Sequence, residues 1–222
     1  KRTPHLALDV FSDEGLEPNK PITIDSSVID GARIHLLHEC EVPYYVGFDA
    51  LCDASSENAE QFLQLAGRLV TQAETQLVRG KRALLSANDQ NRLIRQRSTE
   101  IIKAWDFPHH REVRALTELM AKQCVERSLE GNASLGGGPN AWGIPQDQFE
   151  ELPDKHPGLA RILQFAVAYN ALVLKTEHST KNRLWCLLEL GGPVAVANGL
   201  TLRRGGFLER DVRNLVAGVE VV

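Results

Sequence analysis

Imidazole and thiol side chains, which can bind metals, cluster near the start of the chain. His35, His38 and Cys40 lie within six residues of one another, and imidazole and thiolate are common zinc ligands. His35 and His38 are three residues apart on a predicted helix, so they face the same side of it. A structural zinc site needs four ligands, and no matching Cys or His pair occurs at the usual spacing. We therefore interpret these side chains as packing or surface groups.

A second pair of imidazoles, His109 and His110, follows Phe107 and Pro108. Adjacent histidines can serve proton transfer near neutral pH. The sequence has no Gly-x-Ser-x-Gly motif, and Cys124 has no obvious catalytic partner. We interpret the pair as the turn that starts a helix, and no catalytic residue is predicted.

The sequence has no phosphate-binding loop of the form Gly-x-x-x-x-Gly-Lys-Ser/Thr. The three glycines at 136–138 are followed by Pro139, and no Lys-Ser/Thr pair comes after them. That loop and its lysine hold the phosphates in P-loop ATPases. We therefore predict that this chain does not hydrolyse ATP and holds no cofactor by itself.

The bulk composition is typical of a globular protein without a membrane span. The 222 residues are 43% hydrophobic with a net charge of −4, and no apolar run is long enough to cross a bilayer. Four scattered cysteines without a Cys-x-x-Cys pair predict reduced thiols and a cytoplasmic location. The sequence begins at Lys1, without a signal peptide, which suggests a fragment or a processed product.

Charge is distributed unevenly along the chain. Residues 1–66 carry 4 Lys/Arg against 12 Asp/Glu, and residues 67–127 carry 12 against 7. A basic segment after an acidic one could guide a polyanion such as DNA. The alternative is that these charges only solvate exposed helix faces.

The elements that must position these groups are mostly helices. Apolar spacing and capping residues predict helices over about 26–39, 47–54, 57–79, 86–105, 111–128 and 157–170. The predicted buried face of the first is Val28, Ile29, Ala32, Leu36 and Leu37, and that of the third is Phe62, Leu65, Ala66, Leu69 and Val70. A strand is predicted at His5–Phe11, a β-hairpin at 171–190 and an irregular loop at 130–156. The predicted fold is mainly α with a small β component.

Helices followed by a terminal hairpin are also the order of a winged helix, a relative of the helix-turn-helix. We expect a helical region at 1–84 and a winged-helix-like domain at 85–222. Basic residues near the hairpin are the candidate DNA- or partner-binding groups, because cations at these places of a winged helix contact phosphates. They are Arg161, Lys175, Lys181 and Arg183. Wings with few basic residues often bind protein instead.

The segment Gly47 to Leu65 resembles the lid of origin-recognition (ORC-type) AAA+ ATPases, especially the bacterial ones. In that family a Ser-Ser-Gly-Asn turn opens a helix, and this chain has Ser55, Ser56 and Asn58 at matching places. The resemblance implies that the strand at 5–11 ends the ATPase core and that 1–84 includes a helical lid. It also implies that ATP and Mg²⁺ bind in a parent protein, in an N-terminal P-loop domain.

Two residues depart from the family pattern. Glu60 stands where the family usually has its phosphate-sensing arginine, and Glu57 stands where glycine is frequent. Because a carboxylate repels phosphate, the motif predicts the architecture of a lid more than a role in nucleotide sensing. Arg68, two turns further along the helix, is a possible substitute for that arginine.

The resemblance predicts a regulatory function. On this interpretation the chain is the C-terminal part of an ORC-type AAA+ ATPase, and it couples the nucleotide state of the N-terminal domain to DNA or to a protein. The alternative is a free-standing helical module for protein interaction or oligomerisation that binds neither nucleotide nor DNA.

Overall fold

Five helices form the first half of the described chain. The computed structural model describes residues 26–131, 136–180, 182–203 and 206–220, so the predicted strand at 5–11 lies outside it. The helices are α1 (Ser26–Cys40), α2 (Gly47–Ala54), α3 (Ala59–Val78), α4 (Ala87–Lys103) and α5 (His110–Ser128). All five were predicted near these bounds.

Capping residues explain where α3 and α4 begin and where α3 ends. The Asn58 side chain accepts a hydrogen bond from the Gln61 N–H at 3.0 Å, and Ser86 accepts one from Asp89 at 3.1 Å. Each bond satisfies a backbone donor that the first helical turn leaves unpaired. Gly80, with φ of 70°, follows the end of α3 in the left-handed region that favours glycine.

The predicted buried face of α1 is wrong in part. Leu37 is buried as expected, but Ile29 and Leu36 are 40% and 43% exposed, and Ile34 takes the inner position. Apolar residues occur around most of this helix, so their spacing does not select one face. The face of α3 needs one correction, because Val70 is 55% exposed.

The second half of the described chain contains the strands and five short helices. They are β1 (Ala141–Pro145), α6 (Gln146–Glu150), α7 (Leu152–Lys155), α8 (Pro157–Ala168), β2 (Leu172–Thr180), β3 (Arg183–Leu190), α9 (Gly192–Ala197), β4 (Leu208–Glu209) and α10 (Val212–Val219). The predicted hairpin is present as β2 and β3. The predicted irregular loop at 130–156 is wrong, because it contains β1, α6 and α7.

The strand β1 escaped prediction because it lies inside the sheet. The order is β2-β3-β1-β4, with β1 antiparallel to β3 and parallel to β4. All five β1 residues are buried, so the alternation of apolar and polar residues that marks a half-exposed strand is missing. Its Trp-Gly-Ile-Pro sequence resembles a loop.

Two hydrophobic clusters organise the molecule. The larger lies between α5, α8 and the sheet, and includes Leu116, Met120, Trp142, Leu172 and Leu188. The smaller consists of Leu37, Tyr45, Leu51, Ala54, Leu65, Ile94 and Val196. It joins helices α1 to α4 to α9, which directly follows the hairpin. The fold is mainly α with a small sheet, as predicted, and the division at residue 84 stays a prediction.

Candidate functional site

The turn between α2 and α3 holds the residues of the lid-like motif. The Ser55 hydroxyl donates to the Cys52 carbonyl at 2.6 Å. Ser56 and Glu57 have φ of 48° and 60°, a left-handed conformation that costs energy for residues other than glycine. The turn therefore ends α2 and changes the direction of the chain, and Asn58 then caps α3.

The same turn is fixed to the start of α9. The Ser56 hydroxyl oxygen accepts a hydrogen bond from the Gly192 N–H at 2.6 Å. A Cβ on Gly192 would overlap the carbonyl oxygen of Ala54, and one on Gly191 would overlap that of Asn170. Only glycine allows this approach of the two backbones. A Gly-Gly-Pro sequence directly after a predicted strand was the available signal for this contact.

A polar pocket of about 410 Å³ opens beside this contact. We call it the junction pocket, because helix, turn and hairpin residues all line it. Its walls include Cys52, Asp53, Ser55, Ser56, Glu57, Asn140, Val173, Lys175, Glu189, Gly192, Thr201 and Leu202. The volume lies in the range of small-ligand sites. It brings together Ser55, Ser56 and Lys175, which sequence reasoning had assigned to two separate regions.

Charged groups from the hairpin and the amide group of Asn140, the residue before β1, line the junction pocket. The Lys175 ammonium lies 2.6 Å from a carboxylate oxygen of Glu189, and that carboxylate side chain is only 13% exposed. The Asn140 side-chain oxygen is buried and has no hydrogen-bond partner among the described residues. Its amide nitrogen donates a long bond of 3.4 Å to the Thr201 carbonyl. The pocket can therefore bind polar groups.

Two adjacent tyrosines anchor the chain behind this pocket. The Tyr45 hydroxyl donates to the Leu200 carbonyl at 2.7 Å, and the Tyr44 hydroxyl lies 3.4 Å from the hydroxyl of Thr201. Burial raises the pKa of both phenols above their ordinary value, because the phenolate form would lose its hydration. The two backbone N–H groups share the Asn91 side-chain oxygen on α4.

Arg68, the suggested substitute for the sensing arginine, does not line the junction pocket. It is half-buried on α3, and its Nε atom is buried without a partner among the described residues. Glu60 is exposed in the first turn of α3 and accepts a hydrogen bond from Gln64 at 3.1 Å. A carboxylate in the first turn interacts favourably with the helix dipole, which gives Glu60 a local role.

The three predicted basic residues near the hairpin that the structure describes have different surroundings. Arg161 is exposed on α8, whereas Lys175 pairs with Glu189 in the junction pocket. The Arg183 guanidinium lies over the Trp185 ring at 5.0 Å and 3.8 Å from Asp147. Lys181 lies outside the described residues. Residues 146–183 carry five acidic and five basic side chains, so the region has no net charge.

An apolar groove of about 370 Å³ runs along α8 on the other face of the hairpin. We call it the α8 groove. Its lining residues are Phe149, Leu152, Pro153, Ala160, Leu163, Gln164, Val167, Ala168, Leu174 and Leu188. Of these, only Gln164 has a polar side chain. The sequence does not predict the groove, because α6 and α7, which form its second wall, lie in the segment for which the sequence predicts a loop.

The histidines singled out from the sequence have structural partners. His38 Nε2 lies 2.9 Å from the Gly199 carbonyl oxygen, and His35 lies 3.6 Å from Glu39. His109 precedes α5 in a left-handed conformation, and His110 contacts the Phe107 carbonyl at 3.0 Å. Within the residues that the structure describes, no group of three or more His, Cys, Asp or Glu side chains could hold a metal ion.

Comparison with known proteins adds no relative. No protein-family model matches this chain, and neither a curated protein nor a solved structure matches it. None of the described helices combines the length and the apolar character that crossing a membrane requires. Any proposal about function therefore depends on the residues and their geometry.

Proposed function

We propose that this chain is the C-terminal part of an ORC-type AAA+ ATPase, with a helical lid followed by a winged-helix-like domain. Its role is to couple the nucleotide state of an N-terminal P-loop domain to the binding of a partner. The observation that carries the proposal is the contact between the α2–α3 turn and α9, made by Ser56 and Gly192. It links the lid-like motif directly to the segment that continues the hairpin.

The order of elements in the second half supports the winged-helix part of the proposal. Helix α5 is followed by β1, the short helices α6 and α7, helix α8, and the hairpin β2–β3. The three strands pair in the order β2-β3-β1, all antiparallel. In this arrangement α8 takes the place of the recognition helix of a helix-turn-helix and the hairpin forms the wing.

The direct contact of the α2–α3 turn with α9, which follows the hairpin, supports the coupling role. Gly192 lies two residues after the end of β3, and its backbone cannot retreat from Ala54 without breaking the hydrogen bond to Ser56. A displacement of the α2–α3 turn would therefore move α9 and the end of the hairpin with it. ATP and Mg²⁺ would bind in the P-loop domain of the parent protein, and this chain contributes only the responding part.

A second function, that of a protein-interaction module without DNA binding, is favoured by one observation. The region around α8 has no net charge, and Lys175 and Arg183 are already engaged by Glu189 and by Trp185. DNA binding depends on cations that neutralise phosphates. Of the predicted cations that the structure describes, this leaves Arg161, and one cation neutralises few phosphates.

A salt-titrated DNA-binding assay separates the two functions. If α8 and the wing contact DNA, the affinity falls steeply with salt, and Arg161→Ala reduces the slope of log K against log salt by about 1. The control is Arg33→Ala, which removes an exposed arginine on α1, outside both the hairpin and the basic segment 67–127. Absence of binding at low salt supports the interaction module instead.

Coupling is tested in the longer parent protein, whose reading frame must encode a P-loop upstream of Lys1. A start codon directly before Lys1 would contradict the ATPase link. In the parent, Ser56→Ala should make partner binding insensitive to the exchange of ADP for ATP while leaving the binding itself intact. Unchanged nucleotide dependence in that variant would show that coupling does not pass through this contact.

A further inference from the structure

Helix α3 exposes a row of large apolar side chains at intervals of seven residues. Leu63, Val70 and Leu77 are 68%, 55% and 56% exposed, and we call them the α3 stripe. A seven-residue repeat keeps side chains close to one line along a helix, as in a coiled-coil seam. Exposed apolar side chains aligned in this way are typical of a surface that packs against another helix.

The α3 stripe does not belong to the side of α3 that packs against the protein. Leu65 is fully buried, and Phe62 and Leu69 pack against the smaller hydrophobic cluster. Gly67 lies on the exposed side between Leu63 and Val70, and a Cβ there would meet no atom within 4 Å. The absent side chain permits close approach of another helix.

Opposite charges lie at the two ends of this helix. Glu57 and Glu60 are exposed at its start, and Lys81 and Arg82 are exposed just after its end. A second helix placed antiparallel to α3 would bring acidic groups beside basic ones at both ends. A parallel second helix would bring like charges together, which is unfavourable.

We propose that α3 is a self-association surface, on which the α3 stripe of one chain packs antiparallel against that of a second copy. With the two-fold axis at Val70, each Leu63 faces the Leu77 of the other copy, and Glu60 lies beside Lys81. The stripe is thus complementary to itself, as a two-fold interface requires. The proposal does not depend on whether α8 and the hairpin bind DNA.

The size of the surface sets the expected strength. One helix pair of this length is small beside a standard interface of about 1,600 Å², so the dimer is a weak and reversible one. Self-association should therefore depend on protein concentration in the micromolar range and above.

Sedimentation equilibrium over a concentration series tests the proposal. The unmodified chain should show a monomer–dimer equilibrium, and Val70→Asp should weaken dimerisation about tenfold or more by placing two carboxylates at the axis. Leu84→Asp is the matched control, because Leu84 is 80% exposed outside α3, and it should dimerise as the unmodified chain does. Circular dichroism confirms that each variant is folded. A monomer at all concentrations, or dimers unaffected by Val70→Asp, would overturn the proposal.

Charge exchange tests the antiparallel orientation. Glu60→Lys and Lys81→Glu should each weaken the dimer, and the two together should restore it because the opposite charges face each other again. Arg92→Glu, another exposed charge reversal but on α4, serves as a control and should not restore dimerisation of Glu60→Lys. If the double exchange stays as weak as the single ones, this pairing is wrong.

Discussion

The two faces of the β2–β3 hairpin differ in chemistry and in what covers them. Val173 and Glu189, which pair across the strands, face the junction pocket, whereas Leu174 and Leu188 face the α8 groove. The first face has charged and amide groups and is covered by the α2–α3 turn. The second is apolar and is flanked by α7 and α8. One strand pair thus supports a polar site and an apolar one through simple alternation.

This difference shows which face of the hairpin already contacts the helical half of the molecule. The polar face is held against the helical half by the short hydrogen bond from Gly192 to Ser56 and by the close approach of the Gly192 backbone to Ala54. The α8 groove is bounded only by elements of the second half of the described chain. Changes to the polar face should therefore affect the attachment of the two halves, and changes elsewhere should remain local.

The largest expected effect comes from filling the backbone contact on the polar face. Gly192→Ala places a Cβ where the Ala54 carbonyl oxygen lies, so α9 must move away from the turn and the hydrogen bond to Ser56 is lost. We expect the free energy of unfolding to fall by about 3 kcal/mol, at the upper end for overpacking. Chemical denaturation monitored by circular dichroism measures it.

A glycine without neighbours provides the control for that change. Gly158 lies in the first turn of α8, and a Cβ there would meet no atom within 4 Å. Gly158→Ala should change stability by no more than about 0.5 kcal/mol. Equal effects of the two substitutions would mean that the contact at Gly192 does not hold the halves together.

The next effect is a dependence on alkaline pH. Burial raises the pKa of Tyr45, so the folded state keeps the phenol proton while the unfolded chain loses it above about pH 10. The folded state then binds more protons, and the free energy of unfolding falls as pH rises, by about 1.4 kcal/mol at pH 11 for this group. Tyr45→Phe should be less stable at pH 8, by about 1 kcal/mol, and lose stability less steeply above pH 10. If the free energy of unfolding fell equally steeply with pH in both proteins, the raised pKa of Tyr45 would be contradicted.

Sequence reasoning predicted the elements with strong local signals and missed those defined by long-range contacts. Ser86 and Asn58 mark helix starts through bonds that span three residues, so α3 and α4 were found. The strand β1 is identified by its pairing with β3, whose partner residues are 40 to 48 positions away. The junction pocket likewise needs residue 56 beside residue 192, and no local pattern specifies that contact.

Val70 was predicted on the buried face of α3, and the reason for this error lies in the packing of neighbouring helices. The apolar spacing of α3 extends over more than half of the helix surface, and only the packing of α2 and α4 on one side decides which apolar residues become exposed. Leu65 and Val70 look equivalent in the sequence, yet one is buried and the other is 55% exposed. The candidate interaction surface was therefore visible only in the structure.

A smaller effect should come from the ion pair on the polar face. Lys175→Met removes the ammonium beside the mostly buried carboxylate of Glu189. This substitution should lower the free energy of unfolding by about 1 kcal/mol. The comparison is Lys155→Met, because Lys155 and Glu151 form an ion pair whose side chains are 63% and 54% exposed. An exposed pair contributes at most about 0.5 kcal/mol. Equal losses in thermal or chemical unfolding would show that the junction pocket is as open to solvent as the helix surface.

The smallest expected effect has the opposite sign and lies in the turn that covers the polar face. Glu57 has φ of 60°, which glycine adopts without strain. Glu57→Gly therefore relieves about 1 kcal/mol of backbone strain, and the greater conformational entropy of glycine in the unfolded chain offsets part of that gain. We expect the free energy of unfolding, measured by chemical denaturation, to rise by about 0.5 kcal/mol. Glu60→Gly, the same exchange three residues later inside α3, should instead cost about 1 kcal/mol. Losses in both variants would mean that the Glu57 side chain makes a contact worth more than its backbone strain, and that the turn is held by its side chains as well as by Gly192.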